Sequence, residues 1–153
     1  MGSHYQGTPD EVRSLNAYIG LIRAADSLGA RLYRRLIASN LSLSQFAALD
    51  VLFHLGPLSP HEIAHKMLKS SGNITMVVDN LEKRGFVRRE RQTRDRRVVQ
   101  IFLTDEGRAL IARLLPQAVE TIKQELSVLS EGEKENLRDL CRRVGLKEAP
   151  VPA

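Results

Sequence analysis

The chain contains no tryptophan and one cysteine, and aromatic residues make up only 5% of its 153 positions. With Cys141 as the sole thiol, no internal disulfide can form, and the usage suits a reducing, cytoplasmic setting. So few aromatics argue against a platform on which single-stranded bases would stack. No apolar run approaches the ~20 residues of a membrane-spanning helix, so no membrane association is expected. Polar residues 1–8 lead straight into an amphipathic pattern, without the apolar centre of a signal peptide. Internal repeats and low-complexity tracts are also missing, so the expectation is one compact unit with helical extensions, large enough to bury a core.

What the chain does have is positive charge concentrated in one place. Its formal net charge is +5. Between positions 82 and 97 stand eight basic residues, Lys83, Arg84, Arg88, Arg89, Arg91, Arg94, Arg96 and Arg97, against Glu82, Glu90 and Asp95, so this window alone carries the net charge of the whole chain. A single-signed block beside balanced sequence is the footprint of phosphate binding; a solvated basic face is the bland alternative. The block leads into a β-branched and aromatic run, Val98-Val99-Gln100-Ile101-Phe102-Leu103, which ends at the helix start Thr104-Asp105-Glu106. With Phe86-Val87-Arg88-Arg89-Glu90-Arg91 as the opposing strand, residues 92–95 become the tip of an arginine-rich β-hairpin.

Around this hairpin the pattern is helical. Thr8-Pro9-Asp10-Glu11 is a capping box with proline at the first helical position, opening a helix to about Ile37. Its apolar stripe through Val12, Leu15, Ile19, Ile22, Leu28, Leu32 and Leu36 is wider than one neighbour needs. A second box, Ser42-Leu43-Ser44-Gln45, opens a helix closed by Gly56-Pro57. A third, Ser59-Pro60-His61-Glu62, starts a short helix expected to bury Ile63, Ala64, Met67 and Leu68. Ser70 or Ser71 caps the next helix, carrying Ile74, Val77, Val78 and Leu81 and closed by Gly85 in a left-handed conformation. Two short helices joined by a tight turn and followed by the basic hairpin read as a helix-turn-helix with a wing, whose second helix enters a major groove. A long helix follows Gly107, with Pro116 inside it expected to introduce a kink. The fourth box, Ser130-Glu131-Gly132-Glu133, opens a last helix with Leu137, Leu140, Cys141 and Val144 on one face, expected to stop at Gly145.

One motif competes with this reading. His61-Glu62-Ile63-Ala64-His65 fits the spacing of a zinc hydrolase, two imidazoles one turn apart with a carboxylate to activate water. Glu62, however, sits at the third position after Ser59, where a capping box uses its carboxylate, and no third ligand stands in a recognisable context. Two exposed histidines on a helix surface are the simpler account, so neither an enzyme nor a metal or other cofactor is expected. Cys141, on the apolar face of the last helix without a basic residue beside it on that face, reads as a packing residue rather than a redox switch.

Asp95-Arg96-Arg97, followed after five residues by Leu103-Thr104-Asp105-Glu106-Gly107, resembles the wing signature of MarR-type regulators. Ile74 through Val87 is similar to that family's recognition helix and its exit, and Leu43-Ser44-Gln45-Phe46 matches its second-helix opening. The resemblance runs from about residue 10 to 146. It implies a mainly α fold with a small β-hairpin wing: a winged helix-turn-helix, residues 39–104, flanked by dimerisation helices in residues 1–38 and 105–153. It implies a homodimer on pseudo-palindromic double-stranded DNA, and a repressor released by a small-molecule effector. Ser70, Ser71, Gly72 and Asn73 then approach phosphates and base edges, while Thr75 and Met76 contact thymine methyls. One of Arg94, Arg96 and Arg97 enters a minor groove, and Asp95 braces the wing. Lys66, Lys69, Arg84 and Arg88 are candidate phosphate contacts. Peroxide-sensing relatives carry a cysteine near the start of the first helix, which this chain lacks. A helical interaction module without DNA binding is the remaining alternative, and it predicts that charge reversal at the wing arginines is harmless.

Overall fold

A computed structural model describes residues 4–91 and 98–147. Its elements run α1 (Pro9–Leu36), a 3-10 turn (Ile37–Ser39), α2 (Leu43–Leu55), α3 (Pro60–Met67), α4 (Ser71–Lys83), β1 (Val87–Arg91), β2 (Val99–Leu103), α5 (Asp105–Glu125) and α6 (Glu131–Leu146). The fold is mainly helical, with a single hairpin between the helix-turn-helix and the long α5. Thr8, Ser42, Ser59 and Ser130 each accept the amide of the residue three places on, and the side chain of that residue returns to the cap amide. All four starts are fixed locally, because each reciprocal pair satisfies two amides that a helix N-terminus would otherwise leave without partners.

The hairpin is antiparallel, in register from Val87 opposite Leu103 to Arg91 opposite Val99. A contribution from the loop after α2 was not legible in the sequence: Leu58 pairs with Ile101, exchanging backbone hydrogen bonds of 2.8 and 3.3 Å. That bridge anchors the base of the hairpin to the α2–α3 connection. The core lies where α2, α3, α4, the hairpin and the first half of α5 meet. Leu49, Ile63, Ile74, Val78, Leu81, Ile101 and Ile111 are buried there, with Leu36 closing it from the end of α1.

Three local expectations need correction. α3 ends at Met67, and Leu68, expected inside, is 55% exposed. Its φ of 51° is left-handed, so the side chain leaves the buried stripe that a continuing helix would have extended. α6 does not stop at Gly145 but runs to Leu146, with Lys147 as its left-handed cap. Gly145 is instead a point of close approach, since a Cβ there would lie 2.9 Å from Leu68 Cδ1. Cys141 is exposed in the single chain rather than packed. α5, for its part, continues through Pro116 to Glu125 without a break.

α1 and α6 explain the breadth of the apolar stripes. Of the 28 residues of α1, only Leu36 is buried, and α6 buries none. Tyr18, Leu21 and Ile22 on α1, Val119 on α5, and Leu137, Leu140, Val144 and Leu146 on α6 remain open to solvent. No single helix among the described residues is long and apolar enough to cross a membrane.

Candidate nucleic-acid interface

α4 is built with two unlike faces. Ile74, Val77, Val78 and Leu81 are buried against α2 and α3, whereas Ser71, Gly72, Asn73, Thr75, Met76 and Asn80 face outward. Ser70 is the N-cap, and its hydroxyl accepts the Asn73 amide at 3.3 Å. The amides of Ser71 and Gly72, in the first turn, have no partner within the helix and point out of its positive end. Thr75 donates its hydroxyl to the Ser71 carbonyl at 3.0 Å, and Asn80 donates to the Met76 carbonyl at 2.9 Å. Met76 is 68% exposed, a large apolar side chain at the centre of an otherwise polar face. Lys66 and Lys69, also exposed, flank this face from α3 and the turn.

At its far end α4 closes with paired hydrogen bonds: Phe86 N–H to the Leu81 carbonyl at 2.9 Å and Gly85 N–H to the Glu82 carbonyl at 2.9 Å. This closure requires Gly85, whose φ is 75°, because only a residue without Cβ takes that conformation freely. The start of α5 is fastened to the same place. Thr104 donates its amide to the Phe86 carbonyl at 3.1 Å and its hydroxyl to the Gly85 carbonyl at 2.6 Å, while that hydroxyl accepts the Gly107 amide at 3.0 Å. Gly107 is obligatory on space alone, since a Cβ would stand 2.0 Å from the Phe86 oxygen. The motif Leu103-Thr104-Asp105-Glu106-Gly107 is therefore a joint between the hairpin, the exit of α4 and α5.

The stem of the hairpin is braced by residues that the sequence did not single out. Arg89 on β1 pairs with both Asp79 and Glu82 of α4, and its backbone amide donates to Glu82 at 3.0 Å. Burial disfavours the charge on Arg89, but the hydrogen bonds and charges of the two carboxylates outweigh it and hold the guanidinium above its ordinary pKa. The available signal was the spacing of Asp79 and Glu82, which puts two carboxylates on the one face of α4 that can meet a strand after Gly85. Arg88, on the other face of β1, is exposed, pairs with Glu90, and lies 4.8 Å above the Phe102 ring. Arg84 turns back into the protein. Its Nη1 and Nη2 donate to the carbonyls of Asn40 and Ser39 at 2.7 and 2.9 Å, and its guanidinium stacks 4.9 Å from the Phe86 ring. Arg94, Asp95, Arg96 and Arg97, expected at the tip, lie outside the described residues.

The structure also gives a physical account of the His61-Glu62-x-x-His65 motif. The Ser59 amide and hydroxyl donate to the Glu62 carboxylate at 2.7 and 2.8 Å and hold its carboxyl below the ordinary range. A carboxylate fixed in that way is a poor general base. Among the described residues, no three His, Cys, Asp or Glu side chains are placed to hold a metal ion.

Comparison with known proteins agrees with this geometry. Residues 41–99, from the approach to α2 to the start of β2, match the model of the MarR family. Over 134 residues the chain is 35% identical to the HTH-type transcriptional regulator MhqR of Bacillus subtilis, covering 88% of this chain and 92% of that protein. A probable transcriptional regulator from Pseudomonas aeruginosa, known from its crystal structure, superposes with a TM-score of 0.70 at 32% identity, covering 81% of this chain and 92% of that one. The fold is also that of Bordetella bronchiseptica BpsR, whose DNA binding is regulated by 6-hydroxynicotinic acid: TM-score 0.77, 22% identity, with 98% of this chain and 100% of the other covered.

Proposed function

The chain belongs to the MarR family of DNA-binding transcriptional regulators, and on that premise we propose that it acts as a homodimeric repressor released from its operator by a small ligand. The observation that carries the proposal is the outer face of α4, where exposed Ser71, Gly72, Asn73 and Thr75 surround a solvent-exposed Met76. A thioether held out in water is unfavourable for a free protein but suits a surface that meets thymine methyls in a major groove. Ser70 and the free amides of the first turn then approach phosphates, with Lys66, Lys69 and Arg88 alongside. One of Arg94, Arg96 and Arg97 enters the flanking minor groove, where A·T-rich sequence is narrow and most negative, and Asp95 braces the tip. We assign Arg84 to holding the recognition helix against the α1–α2 junction, since both its terminal nitrogens are engaged there.

Two copies related by a two-fold axis would present their α4 helices about 34 Å apart to successive major grooves of a pseudo-palindrome. Dimerisation is supported by the uncovered side chains of α1, α5 and α6. Covering them would stabilise the pair on the order of 10 kcal/mol before the entropy of association. Release by a ligand is supported by two grooves where the long helices meet the winged lobe. One, of about 500 Å³, lies between Ala25, Gly29 and Tyr33 of α1 and Leu43 of α2; the other, of about 510 Å³, lies between Ser39, Phe86, Leu110 and Arg113. A ligand that weakens DNA binding tenfold must itself bind the DNA-bound form tenfold more weakly, about 1.4 kcal/mol of coupling.

The test is fluorescence anisotropy on the DNA upstream of the chain's own gene, at several salt concentrations. The affinity is expected to fall steeply with salt, by roughly 0.9 decades per decade of salt for each phosphate neutralised, and to collapse when Arg94, Arg96 and Arg97 are changed together to Gln. Binding that ignores salt or survives that change rejects the proposal.

A further inference from the structure

The geometry points to a binding site for a small polyanion in the cleft between α1 and the last two turns of α5, lined by Arg31, Arg34, Arg35, Thr121, Gln124 and Glu125. The cleft has a volume of about 370 Å³, and every side chain lining it is polar or charged. It lies at the end of α5 opposite the hairpin joint, away from the DNA-facing side chains. The two grooves at the winged lobe include apolar residues, whereas the lining of this cleft is mainly polar.

Three guanidiniums meet here with one carboxylate. Arg31, Arg34 and Arg35 share a face of α1 by their spacing of three and four residues, an arrangement that like charges disfavour unless something neutralises them. Glu125 neutralises one: its carboxylate lies 2.5 Å from Arg31 Nε, which is buried and approached too obliquely for a hydrogen bond. Arg31 Nη1 donates to Ser27 at 2.6 Å. The side chains of Arg34 and Arg35 have neither a hydrogen bond nor an ion pair with any described residue. The cleft therefore carries an excess of two positive charges. Compensation of the helix dipole accounts for a cation in the last turn of α1, but not for Arg31, which stands a turn earlier and reaches across to α5.

The ligand that fits is compact and carries two or more negative charges, because a guanidinium fork grips phosphoryl or carboxylate oxygens in pairs. The Thr121 hydroxyl and the Gln124 amide are engaged within α5, with Gln117 and Glu120, so binding falls chiefly to the arginines. A bound anion would tie α1 to α5. This inference does not depend on the chain being a ligand-released repressor, and its test needs no DNA.

Thermal unfolding of the full chain is followed with inorganic phosphate and, separately, citrate at low-millimolar concentration, with sodium chloride at matched ionic strength as reference. A saturable rise in Tm of about 3 °C is expected with at least one of the two, and which one acts separates phosphoryl from carboxylate recognition. The rise should vanish in the Arg34→Gln, Arg35→Gln double variant and persist when Arg94, Arg96 and Arg97 are all changed to Gln. Equal effects of chloride, a rise retained in the double variant, or a rise abolished with the wing arginines would overturn the site. Should the double variant not fold, the Nε–Hε resonances of the wild-type arginines decide. The signal removed by Arg34→Lys must shift on titration with the active anion, and its indifference would equally reject the proposal.

Discussion

Gly107 and Gly145 both face close neighbours, yet the chemistry of the neighbour gives them opposite predictions. At Gly107 the obstacle is the Phe86 backbone oxygen, 2.0 Å from a would-be Cβ, and the carbonyl is already fixed by the Thr104 amide. Gly107→Ala should therefore cost about 3 kcal/mol or more in urea unfolding, at or beyond the usual range for overpacking. At Gly145 the obstacle is the free end of the Leu68 side chain, which can turn aside. There the gain in helix propensity, about 1 kcal/mol, should leave Gly145→Ala neutral or slightly stabilising. Arg84 gives a third residue-level expectation. Replacing it with Lys keeps the charge but loses the fork on the Ser39 and Asn40 carbonyls, so DNA affinity measured by anisotropy should fall several-fold at unchanged salt dependence. Replacing a lysine or arginine that touches a phosphate with Ala would instead lower the salt slope by about 1.

At the scale of elements, the capping boxes carry a pH dependence. The carboxyls of Glu62 and Glu133 are held below their ordinary range, chiefly by the amides and then the hydroxyls of Ser59 and Ser130. Folding thus favours their ionised form. The stabilisation they give is fully present above the unfolded value near 4.5 and is lost as pH falls through the lower folded value. A Glu62→Gln, Glu133→Gln variant keeps both boxes in the form that Gln45 already uses, and its stability from pH 5 to 3 should vary less than that of the wild type. The hairpin stem behaves differently, because Arg89→Gln leaves Asp79 and Glu82 facing each other without a cation. About 1–2 kcal/mol of stability should be lost, the partly exposed pairs limiting the effect, with a larger loss of DNA affinity as the stem loosens.

These elements also show where the sequence was readable. The four boxes, Gly85 and Thr104 were legible because each is a rule about neighbours three or four residues apart. Leu68 was not, because a left-handed cap at a branched leucine runs against local preference. The pairings of Arg84 with Ser39 and Asn40, and of Leu58 with Ile101, bring together residues up to 45 apart, beyond the reach of any local spacing, whereas that of Arg89 with Asp79 and Glu82 left a trace only in the spacing of the two carboxylates. The basic block announced an interface, but charge alone could not say that Arg84 and Arg89 turn inward to support it while Arg88 stays out.

For the whole molecule, the uncovered faces of α1 and α6 set the expectation. Changing both Leu140 and Val144 to Glu places charges in the middle of the apolar stripe of α6, whose leucines and valine are 41–65% exposed in the single chain. Sedimentation should then show a monomer where the wild type gives a dimer. DNA binding should weaken far more than the winged lobe's own stability, because the core of that lobe draws only buried Leu36 and partly buried Leu32 from α1 and nothing from α6.

The fastening of Thr104 and Gly107 to Gly85 and Phe86 makes α5 a lever with little play at its working end. Its 21 residues form a rod of about 30 Å, and a tilt of about 5° displaces the tip of such a rod by about 2.6 Å. In the proposed dimer the heads of two such rods would carry the recognition helices, so opposite tilts would change their separation by about 5 Å, enough to carry both beyond hydrogen-bond reach of the bases they would read. In that dimer a change too small to disturb the core of either lobe would become, at the far end, the difference between fitting two grooves and fitting one.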